Sequence, residues 1–528
     1  MTSETASSAT STLYRRGFVY SPADPFATAM VVADEKIAWI GSDEAAKSLA
    51  DGVDQVVDLA GALVTPTFVD AHVHTSATGL GLRSVGLSKV RSLHEALATI
   101  EAAARSRARR PLYAPNWDEQ DWPERRPPKA QELDRATYGG VVYSPRVDGH
   151  SAVISSALAA ASGARNHPGW NDGGLVTREA NHVARDFFNA GISPADRRAD
   201  IDAALSAAAA AGIGLVHENG GPTLSSEDDF ADVLAARDRG DGPQVIGYWA
   251  ELVGDQESAR ALASRLGARG IGGDLNMDGS IGSRTAFLRA PYSDGPGRDH
   301  RGNAYLTAEQ VRDHVAACSL AGIQAGFHVI GDAGADTVIA GMRAAATQVG
   351  TVKVVAARHR LEHLEMVDAG AIKALVELGV TASVQPAFDA HWGGPDGMYA
   401  ARLGRERVTG MNPFADMTTA GMSLAFGSDT PVTPFAPWEA ISACVNHHDP
   451  AQRISAGSAF LAHTRGGWRA AGIDDRGYLD LGQPASFAVW SVGNAPGLPD
   501  LSPGATLPAT LRTVIRGRTV FDREGALS

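Results

Sequence analysis

Two histidines one residue apart, His72 and His74, end the apolar run that starts at Phe68, with Asp70 and Thr75 beside them. On a β-strand, side chains alternate between faces, so both imidazoles point the same way. Neutral imidazole is a good zinc ligand, and two on one face can bind the same ion. Asp70 and Thr75 are predicted to orient the rings through hydrogen bonds. The pair alone is weak evidence, because short motifs of this kind also arise without a metal.

Three later apolar runs end in residues of the same chemistry, namely His328, His363 and Asp429. If these runs are strands of one barrel, their carboxyl ends meet at one mouth, where the active sites of such barrels lie. The five residues then predict a divalent-metal site for one or two ions, with zinc expected because imidazoles dominate the set. Asp429 could also take a proton from a metal-activated water, which is the chemistry of hydrolysis.

The elements that must position these residues follow from the hydrophobic pattern. Alanine-rich helical stretches alternate with apolar runs over the middle of the chain, which predicts a parallel sheet covered by helices. Short β-branched runs at both chain ends predict a small β-sandwich domain built from residues 1–63 and 476–528. The expected fold is therefore α/β, with a (β/α)8 TIM-like barrel over residues 64–475.

Nine candidate strands compete for the eight places of the barrel, and one of them is assigned to an inserted subdomain at about residues 76–185. The candidate strands end near His74, Trp117, Val147, His217, Asp278, His328, His363, Gln385 and Asp429.

Composition limits the class of partner. The 528 residues are 44% hydrophobic and carry a formal net charge of −13 without a basic block, which disfavours nucleic acid and anionic membranes and favours a small-molecule substrate.

Two cysteines, Cys318 and Cys444, are too few for a disulfide framework. The polar start MTSETASSATSTLYRRG lacks the apolar core of a leader, so a cytoplasmic protein is expected. A homodimer is as compatible with the sequence as a monomer.

Longer motifs extend the pattern along almost the whole chain: Asn116-Trp117-Asp118-Glu119, Arg146-Val147-Asp148-Gly149-His150, Asp278-Gly279-Ser280, Arg360-Leu361-Glu362-His363 and Gly427-Ser428-Asp429-Thr430-Pro431. With the split β domain, this set resembles the amidohydrolase superfamily of metal-dependent hydrolases, in particular the YtcJ-like branch that includes N-substituted formamide deformylase. The resemblance implies that His72, His74, His328, His363 and Asp429 bind metal, and that Asp429 is also the catalytic base, with His328 beside it at the reaction centre.

Asp274 marks a departure from that family. Relatives commonly carry a lysine on the strand that leads into Asp-Gly-Ser, and in the wider superfamily a carboxylated lysine bridges two metals. Here Asp274 occupies the place of the lysine, and period two puts it on one face with Asn276 and Asp278. Either Asp274 replaces the bridge as a shorter carboxylate ligand, or the site holds one metal and Asp274 makes a structural hydrogen bond. One metal is the favoured interpretation, because aspartate is shorter than lysine and cannot be carboxylated, and ligand geometry selects the metal.

The reaction predicted from this resemblance is hydrolysis of a non-peptide C–N bond in an N-acyl or N-formyl amide. Relatives that deaminate heterocycles usually carry a glutamate three residues after the fifth-strand histidine, but position 331 is glycine, with Asp332 as a substitute. Deamination is therefore less favoured. The motifs are also compatible with an isomerase, and with a catalytically inactive barrel that acts as a binding or regulatory protein.

The inserted subdomain supplies candidate substrate residues. Trp117 and Asp118 are typical of a lid that binds an organic substituent, although a tryptophan-anchored subdomain would look the same. His150 could polarise a carbonyl or brace its loop. Arg284 and Arg402 are candidates for binding a substrate carboxylate in a bidentate fork, the alternative being ordinary surface or packing arginines.

Overall fold

The computed structural model describes residues 11–106, 110–492 and 497–527. The first ten residues of the N-terminal segment, on which the absence of a leader was predicted, lie outside these ranges. Within them, every helix is too short or too polar to traverse a lipid bilayer.

Eight parallel strands follow one another around a barrel in chain order, which confirms the predicted fold class. Val73 pairs with Thr430, so the first and last strands meet and the barrel closes. The strands are β1 (Phe68–Val73), β2 (Ile213–Gly220), β3 (Gln244–Trp249), β4 (Gly270–Ile271), β5 (Gln324–Val329), β6 (Arg360–His363), β7 (Thr381–Val384) and β8 (Ser423–Phe426).

Helices cover the outside of the barrel, and their ends are set by capping residues. Before β5, the Thr307 hydroxyl accepts the Gln310 N–H and the Gln310 side chain accepts the Thr307 N–H, while Gly322 ends the helix with φ +71°. The barrel helices are Thr75–Leu82, Pro194–Ala210, Glu227–Arg239, Gln256–Leu266, Ala308–Ala321, Asp332–Val349, Thr351–Ala357, Ala369–Glu377, Pro386–Trp392, Met398–Leu403, Arg405–Val408, Phe414–Thr419, Pro437–Val445, Ala456–Leu461 and Gly467–Ala470.

The inserted subdomain after β1 has its own four-stranded sheet, made of Leu112–Tyr113, Val142–Pro145, Ser151–Ile154 and Leu175–Thr177. Its helices are Leu93–Ser106, Ala130–Ala136, Ser156–Ser162 and Arg178–Ala190. The candidate strand ends at Trp117 and Val147 both belong to this subdomain rather than only one of them. The barrel place left over is taken by β3, which was missed from the sequence because it ends in Trp249 without a metal-binding side chain.

The fourth strand is much shorter than predicted. It ends at Ile271, because Gly272 and Gly273 adopt φ +141° and +74° and turn the chain out of the strand. The expectation that residues 274, 276 and 278 share one strand face is therefore wrong. Asp274 reaches the mouth of the barrel from an irregular segment.

Strands from both chain ends form two further sheets. Leu63–Pro66 pairs with Phe487–Ser491, which joins the two ends in one sheet. Tyr14 of the other sheet packs edge-on against Phe487 with ring centroids 5.1 Å apart, as expected for a sandwich. The sheets consist of Lys36–Gly41, Ala29–Ala33, Thr12–Arg15 and Gln55–Asp58, and of Phe18–Val19, Leu63–Pro66, Phe487–Ser491, Ala509–Ile515 and Arg518–Asp522. The exact domain boundaries stay predictions.

Candidate metal centre

The closure of the barrel brings the first and last candidate ligands together. The backbone N–H of Asp429 donates to the carbonyl of His72, so the ends of β1 and β8 are locked side by side. Asp429 Oδ1 lies 3.4 Å from His72 Nε2 and 3.2 Å from His74 Nε2. These three side chains, which come from opposite ends of the barrel sequence, form one group that could hold a metal ion.

Asp274 lies at the centre of the histidines. Its carboxylate oxygens are 3.8 Å from His72 Nε2, 3.5 Å from His74 Nε2 and 3.7 Å from His363 Nε2. His72, Asp274 and His363 form a second group with metal-ligand spacing, which shares His72 with the first. The Asp274 Oδ1 atom is buried and makes no hydrogen bond within the described residues, which argues against the structural hydrogen bond considered for it.

The spacing of these atoms fits a small cation. Four ligands in a tetrahedron at zinc distances of about 2.0–2.1 Å are separated from one another by roughly 3.3 Å. The separations of Asp429 Oδ1 from His72 Nε2 and His74 Nε2, 3.4 and 3.2 Å, lie close to that value. The side chains are thus already gathered at a distance suited to a metal ion.

Each of three imidazoles is fixed by an oxygen acceptor behind it. The Nδ1 atom lies 2.8 Å from Glu362 Oε2 in His72, 3.0 Å from the Asn219 carbonyl in His74, and 2.7 Å from Gln385 Oε1 in His363. With Nδ1–H donating, the Nε2 lone pair of each ring faces the centre. The Nε2 atoms of His72 and His363 are buried and have no hydrogen-bond partner among the described residues. Once the protons on His74 and His363 have left, the Nε2 lone pairs that converge here are free to bind a cation.

The residues that orient the rings differ from those predicted. Asp70 accepts the backbone N–H groups of His72 and Ser428, and the backbone N–H of Thr75 donates to Glu218. The acceptors behind the rings are other residues, so the expected role of Asp70 and Thr75 is wrong. They hold the backbone that carries the histidines.

The neighbouring imidazoles and carboxylates shift one another's pKa values. Burial lowers the pKa of His74, but Asp429 and Asp274 more than offset it and raise that pKa to about 9. Burial also opposes protonation of His363, yet Asp274 and Asp429 raise its pKa to about 9. Burial raises the pKa of Asp274, and the adjacent His363 and His72 more than compensate, so it falls well below its usual range. Without a metal, two imidazolium ions balance two carboxylates here.

Two candidate ligands have a strained backbone. His363 has φ +73° and Asp429 has φ +55°, in the left-handed region that such residues rarely occupy. Conformations of this kind persist only where the surroundings enforce them, and they cluster at functional sites. In both residues the strain turns the side chain at a strand end towards the same centre.

His328 and His150 form a pair beside this centre. His328, on β5, has its ring centroid 4.4 Å from that of His363 but belongs to neither ligand group. Its Nε2 lies 3.2 Å from His150 Nε2, and its Nδ1 lies 3.5 Å from Asp278 Oδ1. The His150 imidazole, on a loop of the inserted subdomain, therefore lies at the barrel mouth, where it could polarise a carbonyl.

A cavity of about 660 Å³ opens over the centre and is lined by His74, His150, Asp274, Asn276, His328, His363 and Asp429 together with the helix Arg178–Ala190. The volume suits a small organic molecule. Asp332 lies outside it and accepts the Arg289 backbone N–H, so it does not act as the substitute acid that deamination would need.

The remaining predicted substrate residues form hydrogen bonds and ion pairs outside the cavity. Trp117 is buried and donates to the Ser144 carbonyl, and Asp118 pairs with Arg146 at 2.7 Å, which favours the tryptophan-anchored subdomain over a lid. Arg284 donates twice to Asp294, and Arg402 is buried against Asp294 and Glu119. These four side chains do not line the cavity.

Comparison with known proteins places this barrel and its site in a class. The amidohydrolase family model matches residues 55–521. The chain therefore belongs to the amidohydrolase family, which implies hydrolase activity and dependence on a divalent metal.

The chain is similar to three curated proteins over most of its length. It is 26% identical to Protein LONG AFTER FAR-RED 3 of Arabidopsis thaliana, over 89% of this chain and 85% of that protein. It is 25% identical to the putative amidohydrolase YtcJ of Bacillus subtilis, over 97% and 99% of the two chains. It is 22% identical to N-substituted formamide deformylase of Arthrobacter pascens, over 88% and 90%. These relatives confirm the YtcJ-like branch.

A solved structure shares the fold. An uncharacterized metal-dependent hydrolase from Pyrococcus furiosus has a TM-score of 0.68 and 24% identity, over 91% of this chain and 98% of that one.

Proposed function

We propose that this protein hydrolyses a non-peptide C–N bond, in an N-acyl or N-formyl amide of a small molecule, with the help of one zinc ion. The observation that carries the proposal is the set of Nε2 atoms of His72, His74 and His363, which face the carboxylates of Asp274 and Asp429 and whose opposite nitrogens are fixed by oxygen acceptors. One ion is proposed because the two ligand groups share His72.

The proposed ligands are His72, His74, His363, Asp274 and Asp429, with Asp274 in place of the family lysine. His328 was predicted from the sequence as a ligand and reaction-centre residue, but it lies in neither ligand group. Because its Nε2 contacts His150, we propose that this pair lies beside the reacting group. A bound cation would polarise the amide carbonyl and make a water molecule acidic near neutral pH.

The chain's own residues then carry the proton. Asp429 accepts a proton from the attacking water and returns it to the leaving nitrogen as the C–N bond breaks. We assign to His150 a hydrogen bond to the carbonyl oxygen. Burial and the neighbouring His328 lower its pKa to about 4, so the ring is neutral at pH 7 and has one N–H to donate.

The test is metal analysis together with turnover on a panel of N-formyl and N-acetyl amines. We expect about one zinc ion per chain and release of amine, and loss of both in the double variant His72→Ala/His74→Ala. A wild-type metal content in that variant would contradict the ligand assignment.

A binding or regulatory barrel is the second candidate, supported by the replacement of the family lysine by Asp274. It predicts bound metal without turnover on any compound of the panel. A product whose mass equals that of its substrate would instead indicate an isomerase, since hydrolysis adds water.

A further inference from the structure

The helix Arg178–Ala190 of the inserted subdomain has two distinct faces. Ala180, Ala184 and Phe188 are buried in the core of that subdomain. His182 and Arg185, one turn apart, line the cavity above the metal centre. The helix therefore presents a basic, hydrogen-bonding surface to whatever molecule the cavity holds.

Arg185 differs from the other arginines of this surface because it has no ion pair among the described residues. Three arginines line the cavity: Arg197 pairs with Asp232 at 2.7 Å and Arg178 lies 3.4 Å from Glu179, whereas Arg185 makes no ion pair within the described ranges. One Arg185 nitrogen donates to the Thr223 carbonyl, while Nε is buried with no hydrogen-bond partner among the described residues. The guanidinium is held in place but keeps donors unused.

Three carboxylates on the cavity wall have partners other than Arg185. Asp200 pairs with Arg83, Asp229 accepts the Ser76 hydroxyl, and Glu218 accepts the Thr75 N–H. Asp186, beside Arg185 in sequence, is exposed and forms no ion pair with it. Burial and the charge of Arg185 lower the pKa of His182 to about 3, so its ring is neutral and can donate one hydrogen bond.

We propose that Arg185, with His182 beside it, binds a carboxylate of the substrate, so that the amide cleaved belongs to an N-acylated amino acid or a similar amido acid. An arginine offers a carboxylate two parallel N–H donors, which fixes orientation as well as position. The proposal rests on the hydrolysis proposed above. It moves the expected carboxylate site from Arg284 and Arg402, which are paired outside the cavity, to Arg185.

The test is calorimetric titration of the zinc-loaded protein with N-acetyl-phenylalanine, in both enantiomers, and with N-(2-phenylethyl)acetamide, which lacks only the carboxylate. We expect one enantiomer to bind at least tenfold more tightly than the amide without a carboxylate. Arg185→Met should remove this preference and leave the affinity for N-(2-phenylethyl)acetamide unchanged, and Arg185→Lys should keep part of it. Arg289→Met, which removes an exposed paired arginine away from the cavity, is the matched control.

Equal affinities for the two compounds in the wild type, or a preference that survives in Arg185→Met, would overturn the carboxylate site, as would the absence of binding by either. Binding does not require turnover, so the result is separate from that of the proposed hydrolysis. Failure of the reaction appears instead as no amine released from any compound that binds.

Discussion

Asp429 has the most specific role proposed for a single residue. In the proposed mechanism it is both a ligand and the group that moves the proton, and its strained φ of +55° is maintained by the contact of its backbone with His72. Asp429→Asn keeps an oxygen at the same place but removes the base. We expect kcat to fall by about 10²–10⁴, measured by amine release, while most of the zinc is retained.

Asp332→Asn is the matched control, because this carboxylate also follows a barrel strand but lies outside the cavity. It should keep wild-type kcat. Full activity of Asp429→Asn would rule out its proposed role.

Gln385 is predicted to act through His363. Its Oε1 lies 2.7 Å from His363 Nδ1, so Gln385→Met should free the ring to rotate while preserving the volume of the side chain. We expect zinc affinity to fall by about 10–100-fold, measured by competition with a chelator. An unchanged affinity would mean that the packing of the ring against Phe388 alone fixes it.

The candidate metal ligands were easier to predict from the sequence than the residues that hydrogen-bond to their imidazole rings. His72, His74, His363 and Asp429 stood out because each ends an apolar run. Glu362, Asn219 and Gln385 orient the rings but come from other strands, up to 290 residues away, so no local pattern paired them with their histidines. Polar residues at predicted strand ends were the available signal.

Among the elements, the strand β6 contributes a buried ion pair beneath the site. Arg360 donates to both oxygens of Glu362, to Ser383 and to the Ala71 carbonyl, and its guanidinium lies 4.3 Å from the Tyr248 ring centroid. Arg360→Met would leave Glu362 as a buried charge with the His72 imidazole as its remaining partner among the described residues. We expect the free energy of unfolding in urea to fall by about 3–5 kcal/mol.

Arg289→Met provides the comparison for this prediction. Arg289 also makes two ion pairs, with Asp336 and Asp368, but its side chain is 42% exposed. Its replacement should cost less than about 1 kcal/mol, because water screens such pairs. Equal losses in the two variants would contradict the stabilising role of the buried pair.

Element prediction succeeded where the hydrophobic pattern is local. The helix Ala369–Glu377 is one of the predicted helical stretches in the middle of the chain, and Asp34 and Glu35 join two strands of the predicted β domain through left-handed residues. The length of β4 could not be predicted, because Gly272 and Gly273 end it through positive φ angles that composition alone does not reveal. The strand β3 was missed because no metal-binding side chain stands at its end.

In the molecule as a whole, the metal centre couples pH to stability and to metal uptake. In the metal-free protein, the pKa values of His74 and His363 are raised from 6.5 to about 9. Their contacts with the carboxylates therefore stabilise the fold fully below pH 6.5, and this stabilisation is lost as pH rises through 9. The melting temperature of the metal-free protein should fall over that range.

Zinc binding should displace these protons, since ligands must be deprotonated. Two imidazolium protons leave as one divalent cation enters, so the net charge of the centre stays the same. We expect about two protons released per zinc ion at pH 7 and almost none above about pH 10, measured by calorimetry in buffers of different ionisation enthalpy. Release that does not vary with pH would contradict the paired state of the metal-free centre.

The proposed mechanism depends above all on one ion held between the two strands that close the barrel and Asp274. An anomalous difference map, recorded at the zinc edge from crystals of the zinc-loaded protein, tests this arrangement most directly. We expect a single strong peak within bonding distance of His72 Nε2, His74 Nε2, His363 Nε2, Asp274 and Asp429. A peak that leaves Asp274 and Asp429 uncoordinated, or no peak at this mouth, would contradict the proposed site.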